Sequence, residues 1–153
     1  MKLETTRFGD IDILEKQIIG FPDGLYGFEK EDSFTLLPFD PNIDSPMEWM
    51  QSMSSPHLAF VVTDPHLYVP KYKLKLLGED KKKVELEEDE PFLVRCIVTI
   101  PENYTDMTAN LVAPVVINAQ KGIAKQFVLT GMEYDTRHYL LPEEMRTSAA
   151  APH

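Results

Sequence analysis

Four histidines, one cysteine and a surplus of carboxylates are the side chains with which this chain could do chemistry. Their spacing argues against it. His57, His66, His138 and His153 are scattered, none stands at the separation that metal ligation uses, and no cysteine pair accompanies them. Gly24 and Gly27 flank hydrophobic residues and lack the lysine of a phosphate loop, and no nucleophile elbow occurs. Carboxylate pairs such as Asp10/Asp12 and Glu87/Glu88 are what an acidic chain supplies by chance, so solvated faces are the plainer reading than acid/base couples. Cys96 lies in an alternating run over residues 92–100. Phe92, Val94, Cys96, Val98 and Ile100 share one face, and Leu93, Arg95, Ile97 and Thr99 the other. That pattern makes Cys96 a small core residue rather than a nucleophile. A single cysteine forms no internal disulfide, which suits a reducing compartment. The chain reads as not an enzyme, with no catalytic, metal or cofactor-binding residue.

Binding is what remains. Leu25, Tyr26 and Phe28 sit among glycines and Pro22, where the backbone can hold side chains outward. Met47, Trp49, Met50 and Met53 form a second apolar, sulfur-rich cluster bounded by proline and serine. Aromatic and methionine side chains are enriched at interface cores. They also cap the ends of β-barrels, and the sequence alone leaves both uses open. Exposure of at least one cluster is the expectation.

Charge points to the same class of function. The formal net charge is −10, and residues 1–65 hold twelve acids against four bases. Residues 77–90 add seven acids and three lysines, while residues 66–76 carry only Lys71, Lys73 and Lys75. Such a field repels nucleic acid and steers basic protein surfaces, though acidity also serves solubility. No basic stripe interleaved with aromatics exists, so direct nucleic-acid binding is not expected.

The elements that must position these residues read mostly as β. Residues 2–7 and 17–21 look like strands separated by a Gly9-Asp10 turn. Residues 33–39 and 58–63 are strands, with Pro38 marking an end or an edge, and 40–46 is a loop. Residues 47–53 fit a strand or one helical turn. Strict alternation over residues 71–76 predicts a strand with its lysines in water and Tyr72, Leu74 and Leu76 inward. Residues 78–89 fit a short helix capped by Asp80 or a charged loop. Phe60, centre of the most apolar run, is expected in the core. In Thr108-Ala109-Asn110-Leu111-Val112-Ala113-Pro114-Val115-Val116-Ile117-Asn118, each asparagine can bond to neighbouring backbone and set where pairing starts or stops. Pro114 forces a bulge, an edge or a strand start. Residues 123–129 form the last strong strand. The expected fold is all-β, mainly antiparallel: one small, partly open β-barrel or barrel-like sandwich with little helix. Residues 1–142 form one domain, and 143–153 read as a flexible tail or cloning remnant. The longest apolar run, residues 58–62, is far short of a membrane span, and no secretory signal opens the chain. A soluble, cytoplasmic protein is expected.

Four separate blocks carry a resemblance. Phe21-Pro22-Asp23-Gly24-Leu25-Tyr26-Gly27-Phe28-Glu29, Trp49-Met50-Gln51-Ser52, Leu58-Ala59-Phe60-Val61-Val62-Thr63-Asp64-Pro65 and the 108–118 segment occur in the order and separations of the flagellar assembly factor FliW family. The chain resembles that family from about Phe8 to about Leu141. It departs at Tyr26, where the family usually has proline. The resemblance implies a cytoplasmic protein that binds newly made flagellin. It also implies alternative binding of the translational regulator CsrA, whose repression of flagellin messenger RNA is thereby relieved. The acidic residues Glu85, Glu87, Glu88 and Asp89 are the expected steering surface for CsrA. Leu25, Tyr26, Phe28, Met47, Trp49 and Met50 are the expected apolar contacts for flagellin. Two alternatives are a plain export-substrate chaperone without a regulatory partner, and an enzyme acting on a small ligand in a barrel mouth.

Overall fold

The computed structural model describes residues 1–131 and 133–146. Its elements are β1 (Lys2–Thr5), β2 (Gly9–Asp12), β3 (Ile18–Gly20), β4 (Ser33–Pro38), β5 (Met47–Ser52), β6 (Ala59–Thr63), α1 (Gly78–Lys83), β7 (Leu93–Thr99), β8 (Thr108–Ala109), β9 (Val115–Asn118), β10 (Ile123–Gln126) and β11 (His138–Tyr139). The hairpin β1–β2 stands apart from the main sheet. The turn expected at Gly9-Asp10 falls earlier, over residues 6–8, because the Thr5 hydroxyl accepts from the Phe8 N–H (2.8 Å) and donates to the Gly9 carbonyl (2.7 Å). Gly9 and Asp10 therefore begin β2.

The main sheet runs β11-β8-β7-β6-β5-β4-β3-β10-β9, and β9 also pairs with β7. That last pairing closes seven strands into a barrel. All neighbours are antiparallel except β10 and β3, which meet in parallel at the single pair Ile123/Gly20. One buried cluster takes a residue from each of the seven strands: Ile19, Phe34, Met50, Val62, Ile97, Val115 with Ile117, and Ala124. Only a lumen can collect side chains in that way, so the barrel is filled rather than hollow. A second cluster lies on the outer face of β5, β6 and β7 and includes Val61, Val94, Cys96 and Val98. It is covered by the chain around Tyr72 and by Leu140. A third packs Val84 and Leu86, just after α1, onto Val116 and Phe127.

The 108–118 segment behaves as its residue types dictate. The Asn110 side-chain oxygen accepts the N–H groups of Val112 (3.0 Å) and Ala113 (3.1 Å), ending β8. Buried Asn118 ends β9 by donating to the carbonyls of Val84 (3.0 Å) and Glu85 (3.1 Å). Between them Pro114 starts the pairing of β9 without offering a donor.

Three expectations change. Residues 71–76 alternate in exposure as expected, with lysines outward, yet they form no strand. Tyr72 pins this segment instead: its hydroxyl donates to the Leu111 carbonyl at 2.7 Å, and its ring lies 4.6 Å from that of Tyr134. Residues 78–83 are helical, but Leu77 is the cap. Asp80 sits three residues further on and accepts the Leu77 N–H at 3.2 Å. Phe60 is half-buried rather than enclosed, because its outer cover is Phe28, 5.2 Å away edge-to-face. Beyond residue 142 a 3-10 turn spans Glu143–Met145, and the Arg146 guanidinium lies 4.0 Å over the Tyr139 ring. Residues 147–153, part of the expected tail, lie outside the described residues.

Candidate functional site

Residues 21–29 turn back on themselves across the end of the barrel. Leu25 and Phe28 exchange backbone hydrogen bonds (3.2 and 2.8 Å), leaving Tyr26 and Gly27 at the corners. Gly27 has φ +87°, a conformation that glycine adopts without steric cost. Gly24 has φ +65°, and a Cβ there would meet the Glu29 backbone at 2.6 Å, so no larger residue fits. Tyr26 stands at the corner before Gly27, where a proline would fit the turn but would offer no N–H. The turn is fastened to β10 by Gln126. Its side-chain oxygen accepts the Tyr26 N–H (3.0 Å), and its amide donates to the Ala113 carbonyl (3.1 Å).

This geometry divides the first cluster. Leu25 is 2% exposed and plugs the lumen, whereas Tyr26 is 60% and Phe28 40% exposed. Leu25 is therefore corrected from a contact residue to a core residue. The second cluster is corrected more fully. Residues 47–52 form β5, which runs through the middle of the sheet between β4 and β6. Met50 is wholly enclosed in the lumen and Met47 is buried on the outer face, so neither offers a surface. Trp49 is half-buried. It stacks on Phe39 with centroids 5.3 Å apart, donates its indole N–H to the Phe39 carbonyl (3.2 Å), and is covered by the Arg7 guanidinium at 4.1 Å. It fastens the β1–β2 hairpin to the barrel rather than facing a partner.

Beside Tyr26 a groove of about 460 Å³ opens at the barrel mouth. Ile97, Val112 and Val128 give it an apolar wall, and Asn110, Thr136 and Arg137 a polar rim. Among the described residues Arg137 is its only ionisable side chain besides the Tyr26 phenol, and these two make no acid/base couple. At the other side of Tyr26, Lys125 binds Asp23 at 2.8 Å and holds its carboxyl below the usual range. Among the described residues no group of three or more potential metal ligands is gathered, and no helix is long and apolar enough to cross a membrane.

The acidic surface lies on the opposite face of the same strands. Glu85, Glu87, Glu88 and Asp89 are all exposed, while Val84 and Leu86 between them are buried against Val116 and Phe127. Glu85 and Asp89 have φ +55° and +66°, left-handed conformations that bend this loop. Asn118 and the Lys121 ammonium, 3.1 Å from the Glu85 carbonyl, hold it in place. Phe127 faces the acidic loop and Val128 faces the groove. The expected apolar and acidic sites thus occupy two faces of one strand edge and do not merge. Sequence reasoning missed Val128, Gln126 and Arg137. The visible signal was alternation carried past β10 through Phe127 and Leu129, whose N–H groups bond to Pro114 and Val112.

The chain matches the family model described as FliW protein over residues 2–140. It is 43% identical over 143 residues to the flagellar assembly factor FliW of Desulfitobacterium hafniense, covering 94% of this chain and 93% of that one. The flagellar assembly factor FliW of Geobacillus kaustophilus is 39% identical, with 95% and 99% covered. A solved structure, the crystal structure of the flagellar assembly factor FliW, superimposes with a TM-score of 0.84 at 36% identity, covering 93% of this chain and 98% of that one.

Proposed function

The chain belongs to the FliW family of flagellar assembly factors, and on that premise we propose that it is a non-enzymatic cytoplasmic switch. It binds flagellin at the barrel-mouth groove and, in alternation, binds and antagonises the translational regulator CsrA. When flagellin accumulates it occupies this protein, and CsrA is left to repress flagellin messenger RNA. When flagellin is exported, the freed protein takes up CsrA and translation resumes. The observation that carries the flagellin half is the hydrogen-bonded turn that holds Tyr26 outward at a groove with an apolar wall, with Phe28 also exposed on the same turn. The CsrA half is supported by the exposed Glu85, Glu87, Glu88 and Asp89 on a bent, anchored loop, in a chain of net charge −10. An acidic surface suits a basic RNA-binding partner and repels the RNA itself.

Purified protein titrated separately with flagellin and with CsrA from the same genome tests both halves. Binding of both, with each displacing the other, is the expected result; binding of flagellin alone reduces the reading to a chaperone without a regulatory partner. Neutralising Glu85, Glu87, Glu88 and Asp89 together is expected to slow CsrA association at low salt and to leave flagellin binding nearly unchanged. A wild-type association rate at low salt refutes steering by this loop.

A further inference from the structure

We propose that the groove takes its partner by β-strand addition to the free edge of residues 126–130, and that the occupant is an extended partner segment with apolar side chains at alternate positions and a cation near one end. This deepens the flagellin reading and rests on it. The barrel closes between β3 and β10 through one residue pair, Ile123/Gly20, and beyond it β3 turns away into residues 21–29. On the other side the strand stays paired as far as Leu129, whose N–H reaches Val112 at 2.7 Å. In an antiparallel pair, alternate residues direct their backbone groups to opposite sides. With Phe127 and Leu129 bonded inward, Gln126 and Val128 direct theirs to the other edge, and among the described residues no strand or backbone partner meets the Val128 N–H.

An unpaired edge is a template for another strand, which proteins commonly block with lysine, proline or a bulge. This one carries none at its centre: the residues are Gln126, Phe127, Val128, Leu129 and Thr130. Space lies on both of its faces. The mouth groove opens on one side of Val128, and a second concavity of about 340 Å³, lined by Leu76, Leu77 and Leu129, opens on the other. An added strand directs successive side chains to opposite faces, and both faces here have apolar walls to receive them. Charge selects the occupant. A second copy of this chain brings another −10 to the interface and is disfavoured. At the Tyr26 end, Lys125 is already paired with Asp23, and the exposed Glu29, whose carboxylate accepts the Gly27 N–H at 3.3 Å, adds a negative charge suited to a cation on the incoming segment.

The test is amide hydrogen exchange on the full chain with and without flagellin, together with Val128→Pro, Val128→Thr and Tyr26→Ala. Proline removes the edge N–H, which has no partner among the described residues, so the fold is expected to survive. Bound flagellin is expected to slow exchange at Gln126 and Val128 by about tenfold or more. Val128→Pro is expected to abolish binding while Val128→Thr retains it. If flagellin binds, Tyr26→Ala weakens it, and edge exchange and the proline variant are unaffected, strand addition is overturned and the groove assignment stands. If wild-type protein does not bind flagellin, the functional reading fails, and this inference falls with it. Protection of Val128 that depends on protein concentration without flagellin identifies a second copy as the occupant and overturns the proposal.

Discussion

Replacing Asn118 by alanine tests whether one buried amide holds the acidic loop onto the barrel. Its two N–H groups reach the carbonyls of Val84 (3.0 Å) and Glu85 (3.1 Å), and its oxygen accepts the Lys121 N–H at 3.3 Å. The side chain is almost fully enclosed, so water does not replace it at once. Glu85 keeps a second donor, the Lys121 ammonium at 3.1 Å, and is the less affected acceptor. The Val84 carbonyl has no such substitute among the described residues. An orphaned buried carbonyl costs about 1–3 kcal/mol, and the long Lys121 bond adds a few tenths. A loss of about 1.5–3 kcal/mol follows, or a fall in Tm of about 3–12 °C for a chain of this length. Urea unfolding supplies the energy, and amide exchange over residues 84–89 supplies the location. Those amides are expected to exchange faster while the barrel strands stay protected. A loss under about 0.5 kcal/mol with unchanged exchange would show that Val84 and Leu86 alone anchor the loop, and the argument from Asn118 would be wrong.

Three further outcomes are expected. Phe60→Ala should lower stability by about 2–3 kcal/mol, below the full range for an enclosed phenylalanine, because the side chain is only half-buried under Phe28; chemical denaturation measures it, and a loss below about 1 kcal/mol makes this a surface patch. Hydrogen bonding from Ser55, with Ser52 and Ser54, holds the Glu31 carboxyl below its ordinary value of 4.5. Its contribution is present above that value and is lost as pH falls through the lower folded pKa. Thermal stability should therefore drop more steeply below about pH 4.5 in the wild type than in Glu31→Gln. Burial pushes the Cys96 thiol up to about 12, so iodoacetamide at pH 8 should leave it unmodified until the protein is unfolded; labelling of folded protein contradicts the enclosure.

Local alternation was legible wherever one face of a segment is covered and the other is not. Over residues 93–99 it sorted Val94, Cys96 and Val98 from their neighbours correctly, because the pleat has period two whatever the sheet does. Residue chemistry also located the ends of β8 and β9, since an asparagine side chain competes with its own backbone wherever it lies. The four quoted blocks carried the family for the same reason: they are turns and buried strands whose residue types are locally constrained. Which face is lumen and which is outer wall was not legible, as both are apolar here. Long-range pairing alone decides that Met50 and Ile97 meet inside while Met47 and Cys96 lie outside. The alternation of residues 71–76 looked like a strand because a Tyr72 side chain tethered to Leu111 imposes the same in-and-out rhythm as a ladder. Leu25 and Tyr26 are adjacent in a glycine-rich turn and read alike. One became the plug and the other the exposed ring only when the barrel end closed around them, for Leu25 is paired with Phe28 while Tyr26 stands at the corner beyond it, and only the tertiary structure says which of them faces water.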